Sequence, residues 1–215
     1  MPLKLTYFNI YGRSEPIRMM LTKAGAEWED ERLEFAEWPA IKPTKPHGCL
    51  PVITLDDGYE ISMGLPCFNY VANTYGFQPT NPLDQYRGQM LYECIMNDMV
   101  LTKLIPTVQK NVKDPESEEV KELAESVWAP ACVHLVRELP KDKKFIAGDK
   151  MTVHDYTIGC NLLGCFRNPN AAHKDMWNAW EKASMPPRVV TYINDLEAEL
   201  KEYLDTRNAE KPSPF

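Results

Sequence analysis

No stretch of about 18 consecutive apolar residues occurs in the 215-residue chain, which excludes a helix long enough to cross a bilayer. No block of Lys and Arg interleaved with aromatics is present. The formal charge of −7, from 24 Lys+Arg against 31 Asp+Glu, exerts no pull on a polyanion, so a nucleic-acid partner is not expected. The six cysteines (Cys49, Cys67, Cys94, Cys132, Cys160 and Cys165) show no CxxC or CxxH spacing and sit mostly among apolar neighbours, as reduced buried thiols do. Neither a metal centre nor a disulfide framework is indicated. There is no Asn-x-Ser/Thr sequon, no internal repeat and no low-complexity tract. The opening MPLKLTY lacks the apolar core of a secretory signal, which makes the cytoplasm the expected compartment. What remains, 44% hydrophobic and 26% charged, has the balance of a globular chain with enough length for one large domain or two small ones packed as a unit.

The first 76 residues and the rest follow different periodicities. Leu3, Leu5 and Tyr7 alternate with Lys4 and Thr6, the signature of a half-buried strand, and a loop containing Gly12 follows. Ser14 then stands at an N-cap position with Pro16 in the first turn. Ile17, Met20, Leu21 and Ala24 recur at i, i+3, i+4 and i+7 before Gly25, which predicts one amphipathic helix. A second strand is expected within Trp28 to Phe35. An irregular connection through Pro39, Pro43 and Pro46 leads to a third strand over Leu50 to Leu55, and Asp57-Gly58 signals a hairpin into Tyr59 to Ile61. Leu65 to Tyr75 reads as a helix closed by Gly76. The order βαβ then ββα describes a small α/β domain over residues 1–76.

Residues 77–83, with Pro79 and Pro82, have the composition of a linker, and beyond Asp84 the strand pattern disappears. Long helical patterns run from Asp84 to about Asn111, broken at Pro106, and from about Pro115 to Leu139, broken at Pro130. Others cover Thr152 to Phe166, His173 to Ala183 and Arg188 to Leu204, so residues 84–215 are expected to form an all-helical bundle. Thr152 and Asp155 have the spacing of a capping box, with Met151 and Tyr156 placed to staple it. The adjacent His154 and Asp155 are not an acid/base pair, because neighbours on a helix do not face one another.

A strand–loop–helix unit leaves backbone N–H groups free at the helix N-terminus, where an anion beside the end of the first strand is stabilised. Tyr7 stands at that end. Its hydroxyl can donate to a thiolate or alkoxide there, or meet a carbonyl as a core tyrosine does, and periodicity alone favours the second reading.

The segments YFNIYGRSEPIR, EWPAIK and GCLPV, followed in order by the Thr152 to Asp155 cap, resemble the cytosolic glutathione transferases, closest to the sigma class. The resemblance covers nearly the whole chain. It implies a thioredoxin-like α/β domain followed by an all-α domain, a homodimer, glutathione as co-substrate, no metal, and a detoxifying transfer of the glutathione thiolate to small hydrophobic electrophiles in a pocket between the domains. It further implies Tyr7 as the catalytic hydroxyl, with Arg13, Trp38 and Lys42 contacting the tripeptide. Pro51 matches the family's cis-proline, which exposes the Leu50 backbone to the cysteinyl portion of the ligand. Asp98 matches an acidic residue that reaches across the dimer toward the γ-glutamyl ammonium, its other reading being an ordinary solvated carboxylate. The electrophile pocket is expected near Tyr11, Met99, Lys103 and Thr107. Cys49 is read as incidental, since the omega class, which uses a cysteine, places it where Tyr7 stands. The closing Lys211 to Phe215 form a tail that covers the pocket or frays.

One departure stands out. Aligning Phe68 to Ala72 with the family's helix puts Met63-Gly64 where a Gln-Ser pair normally holds the γ-glutamyl carboxylate, leaving only backbone N–H groups for that task. Two further readings therefore stay beside the transferase: a non-catalytic structural or assembly protein on the same fold, and a glutathione-dependent isomerase or peroxidase.

Overall fold

The computed structural model describes residues 2–110, 117–171 and 173–209; the tail expected over Lys211 to Phe215, with Asn111 and Pro115, lies outside them. The chain divides into two compact units, 1–78 and 79–215.

The first unit is a four-stranded sheet in the order β2-β1-β3-β4. β1 (Leu3–Phe8) runs parallel to β2 (Trp28–Leu33) and antiparallel to β3 (Val52–Thr54), which pairs antiparallel with β4 (Glu60–Ser62). β1 is thus internal, and this overrides the half-buried alternation expected for it. Thr6 is fully buried and satisfies its hydroxyl by donating to the Glu31 carboxylate at 2.6 Å.

α1 (Glu15–Lys23) buries Ile17, Met20 and Leu21 as its spacing requires, and packs against α3 (Gly64–Tyr75). Ala24 is its exposed C-cap, followed by Gly25 at φ +62. Ser14 occupies the N-cap position without capping. A 3₁₀ turn over Gly12–Ser14 precedes the helix, and the Ser14 hydroxyl donates back to the Tyr11 carbonyl at 3.2 Å. The proline-rich connection is more ordered than its composition suggests: α2 (Trp38–Ile41) is followed by 3₁₀ turns at Lys42–Thr44 and Pro46–Gly48.

The second unit is all-helical. α4 (Pro82–Leu91) begins inside the stretch expected as linker, because the Asn81 side chain accepts from the Leu83 N–H at 2.9 Å and Pro82 costs nothing at a first helical position. The helix then runs without a break through a π-wound stretch, Tyr92–Leu104, into α5 (Ile105–Lys110). α6 (Glu118–Leu123) likewise continues through a π-wound stretch, Ala124–Trp128, into α7 (Ala129–Glu138).

Pro106 and Pro130, expected to break these helices, do neither. Just before each of them a backbone N–H reaches five residues back, from Ile105 to the Val100 carbonyl and from Ala129 to that of Ala124. The wider turn relieves the clash a proline ring makes in an α-turn with the carbonyl four residues earlier.

α8 (Val153–Phe166) is buried almost all round, as a central helix must be, and packs against α4, α9 (Lys174–Ser184) and α10 (Pro187–Glu199). The last expected helix is two, α10 and α11 (Lys201–Ala209), divided at Leu200, where φ is −108 and ψ is 10. Among the described residues no helix is long and apolar enough to span a membrane.

Candidate functional site

Tyr7 leaves β1 one residue before its end and is 7% exposed. The chain beyond β1 folds back over its ring, and the Arg13 N–H donates to the phenolic oxygen at 3.2 Å. Only glycine fits at position 12. Its φ is +47, and a Cβ there would stand 2.9 Å from the phenolic oxygen. The ring edge meets Phe8 at 5.6 Å; Phe8 in turn stacks on Phe35 at 4.6 Å and meets Trp38 edge-on at 5.7 Å.

Burial pushes the phenol's pKa up from its ordinary 10, against the Arg13 N–H bond and the charges of Arg13 and Arg18, which pull it down. The hydroxyl therefore stays protonated at neutral pH. With one lone pair engaged by Arg13, it has its own proton to offer an acceptor.

A second group of residues meets at the same end of the sheet. Thr6 pairs with Val52 in antiparallel register, which sets Tyr7 beside Pro51. The Leu50–Pro51 peptide is cis, and the Pro51 carbonyl accepts the Met63 N–H at 3.1 Å. Met63 is the N-cap of α3 at φ 76 and ψ 143, a conformation sparsely populated by residues with a side chain, and 48% of it is exposed. Gly64 opens α3 directly after it. Trp38, half-buried, opens α2. Lys42 is exposed and its aliphatic chain lies against Gly48, where a Cβ would come within 3.3 Å of Cε.

The remaining candidates divide between the units. Tyr11 is buried in the first, its carbonyl taken by Ser14 and Arg18. Asp98 and Met99 lie on the π-wound stretch of the second; Asp98 is exposed, and its carbonyl accepts the Thr102 hydroxyl. Lys103 and Thr107 line a shallow groove of about 420 Å³ with Pro106, Leu123 and Ser126, crossed by the Lys110–Glu119 ion pair at 2.9 Å.

Sequence reasoning missed Arg18 and Asp30. Arg18 is 1% exposed; it donates to the Asp30 carboxylate through Nε at 3.0 Å and to the Ile10 carbonyl through Nη1 at 2.8 Å. The available signal was an arginine set inside the otherwise apolar PIRMML of α1.

Three of the six thiols are poor nucleophiles. Burial pushes the Cys67, Cys132 and Cys165 thiols up to about 12, which leaves them protonated. The Cys49 thiol donates to the His47 carbonyl at 3.3 Å. Among the described residues no group of three or more His, Cys, Asp or Glu side chains is placed to hold a metal ion.

No family model matches the chain. Individual relatives do. It is 34% identical over 157 residues to a hematopoietic prostaglandin D synthase of Gallus gallus, covering 71% of this chain and 74% of that protein. It is 30% identical over 164 residues to the class-mu 28 kDa glutathione S-transferase of Schistosoma bovis, covering 73% and 75%. The chain belongs to the glutathione S-transferase family. Solved structures agree on the fold. The glutathione S-transferase of Ascaris lumbricoides superposes with a TM-score of 0.76 over all of both chains at 21% identity. One from the hookworm Necator americanus, described as monomeric, gives 0.74 over 96% of this chain and 98% of its own at 22%. The sheet unit is the family's thioredoxin-like domain, and the bundle is its all-helical domain.

Proposed function

We propose that this glutathione S-transferase family member transfers the glutathione thiolate to small hydrophobic electrophiles, in the manner of the sigma class, with Tyr7 as the hydrogen-bond donor to sulfur. The observation that carries the reading is the buried phenol, held protonated and gripped on one lone pair by the Arg13 N–H, at the sheet end it shares with the cis Leu50–Pro51 peptide.

The demand on it is modest. A free thiol with pKa about 8.5 is only a few per cent ionised at neutral pH, and two units of depression need about 2.7 kcal/mol of preference for the thiolate. A hydrogen bond to a charged acceptor, worth about 1.5–3 kcal/mol, supplies most of it. The Leu50 backbone holds the cysteinyl portion of glutathione, and Arg13, Trp38 and Lys42 contact the tripeptide.

Tyr7→Phe tests the reading. Ultraviolet absorbance of bound glutathione against pH is expected to show the thiol's pKa rising by about one to two units, with turnover of a chlorodinitrobenzene-type electrophile at pH 7 falling roughly 10- to 100-fold. An unmoved thiol pKa removes Tyr7 from the chemistry.

Met63-Gly64 favours a second reading, a non-catalytic structural or assembly protein. With no side-chain donors for the γ-glutamyl carboxylate, that end rests on the N–H groups that open α3. Met63→Gln with Gly64→Ser is expected to tighten glutathione about tenfold by calorimetry, two hydrogen bonds being regained less the cost of seating the serine. A Cβ at 64 comes within 3.3 Å of the Phe68 ring, so that ring must give by a few tenths of an ångström. No binding of glutathione by the unaltered protein at millimolar concentration would establish the second reading over the first.

The homodimer belongs to the same proposal. It is supported by apolar side chains left exposed on the adjacent helices α4 (Leu83, Tyr86, Met90) and α7 (Val133, Val136). In such a dimer the exposed Asp98 is the residue proposed to reach the neighbour's ligand. Elution as a monomer at micromolar concentration would end that role for Asp98.

A further inference from the structure

Arg18 poses a problem that stability does not answer. Apart from Glu15, which is buried with it, the buried residues of α1 are apolar (Pro16, Ile17, Met19, Met20, Leu21), and a guanidinium taken out of water at 1% exposure gains no more from an ion pair than a well-packed hydrophobe gains from burial. Two of its hydrogen bonds fall on one segment. Nη1 donates to the Ile10 carbonyl at 2.8 Å and to that of Tyr11 at 3.3 Å, so the guanidinium holds two successive peptides of the loop leaving β1.

The far side of Arg18 is anchored to the sheet. Nε donates to both oxygens of Asp30 on β2, at 3.2 and 3.0 Å, and Asp30 is in turn gripped by Arg32 at 2.7 Å. Glu15 Oε2 lies 3.7 Å from Nη1, so the charged groups around the guanidinium are Glu15 on its own helix and Asp30, itself paired with Arg32, on β2. One and two residues beyond the clamped carbonyls come Gly12, pressed against the phenol, and Arg13, whose N–H meets the phenolic oxygen.

We propose that Arg18, braced by Asp30, is the positioning residue for Tyr7: it fixes the path of residues 10–13 so that the Arg13 N–H polarises the phenol. An N–H donated to the oxygen makes the phenolic proton a stronger donor, and the buried positive charge works in the same direction. The inference rests on Tyr7 acting as the donor to sulfur, but its first readout needs no glutathione.

That readout is hydrogen exchange of the Arg13 amide in the ligand-free protein at neutral pH, with amides inside the β1–β2 ladder as controls. In Arg18→Met the Arg13 amide is expected to exchange roughly fivefold faster or more, approaching its rate in Tyr7→Phe, while the ladder amides keep their rates. The bound thiol's pKa is expected to rise by about half a unit to one unit, with kcat/KM lowered about three- to tenfold and KM little changed. Arg18→Lys keeps the charge but not the forked donors, and is expected to recover part of the thiol shift without recovering Arg13 protection.

Should Arg18→Met not fold, Asp30→Asn releases the brace and carries the same expectations at smaller size. If Arg13 exchange and the thiol pKa stay at their original values in folded variants, Arg18 is only a core ion pair and the proposal falls. Faster Arg13 exchange with an unmoved thiol pKa, in a protein whose thiol is equally indifferent to Tyr7→Phe, sustains the clamp and overturns the reading of Tyr7 instead.

Discussion

Asp155→Ala is expected to cost about 3–5 kcal/mol of stability in urea denaturation at neutral pH, the scale reached when a buried charged hydrogen-bond acceptor is removed from donors that cannot reach water. Asp155 is 0% exposed. Its Oδ1 accepts the Ile146 N–H and the Tyr192 hydroxyl, both at 3.0 Å; its Oδ2 accepts the Thr152 N–H at 2.8 Å and the Thr152 hydroxyl at 2.9 Å. One carboxylate thereby joins the start of the central helix α8 to the loop before it and to α10. Asp155→Asn keeps the shape but offers one acceptor oxygen where two are used. Its amide group then faces one backbone N–H, which cannot turn away, and one hydroxyl, which can. About half the alanine cost is expected for it, and about 1 kcal/mol for Tyr192→Phe, which removes a single donor. A midpoint unmoved by Asp155→Ala would mean that α8 is held by its apolar contacts alone.

This carboxylate also shows which kind of structure a sequence displays. Thr152 and Asp155 stand three residues apart, so their mutual capping is visible as spacing; the Ile146 and Tyr192 partners, 9 and 37 residues away, are not. The same division runs through the molecule. α1 and α3, and the hairpin at Asp57-Gly58, are specified by neighbours in the chain and were readable from periodicity and turn chemistry. Thr6 was misread because its burial depends on β1 having a strand on both sides. Pro106 and Pro130 were misread because the pattern of apolar residues does not distinguish an α-turn from the wider turn that lets each helix continue. At the candidate site Tyr7 could be placed at a strand end, but the direction of its hydroxyl depends on the Arg13 N–H, on the absence of a side chain at Gly12 and on the Arg18 clamp. None of these is periodic. The nearness of Pro51 to Met63 is likewise a product of the β3–β4 pairing, and only the resemblance pointed to those residues together.

The closest packing at any glycine lies in the bundle, and it yields the second large effect. A Cβ on Gly88 of α4 would stand 2.0 Å from Cγ of His154 and 2.5 Å from its Nδ1, so no rotation of the ring's far end makes room. Gly88→Ala is expected to destabilise by about 3 kcal/mol or more, by forcing the two helices apart or the imidazole out of its site. Adding His154→Ala frees the space, and the double variant is expected to be more stable than Gly88→Ala alone, a coupling that independent sites would not show. The ring's burial has a separate signature in pH. His154 is 4% exposed and its Nε2 has no hydrogen-bond partner among the described residues, so burial lowers its pKa from 6.5 to about 4, with the Asp84 carboxylate opposing. Between those values the unfolded chain binds the proton and the folded one does not. The neutral ring's contribution is therefore complete above pH 6.5 and lost as pH falls toward 4, an expected loss of about 3 kcal/mol that His154→Phe should abolish. Urea midpoints at pH 7 and pH 4.5 for both proteins check it. Parallel losses would place the acid sensitivity elsewhere and show that the imidazole finds water in the folded state.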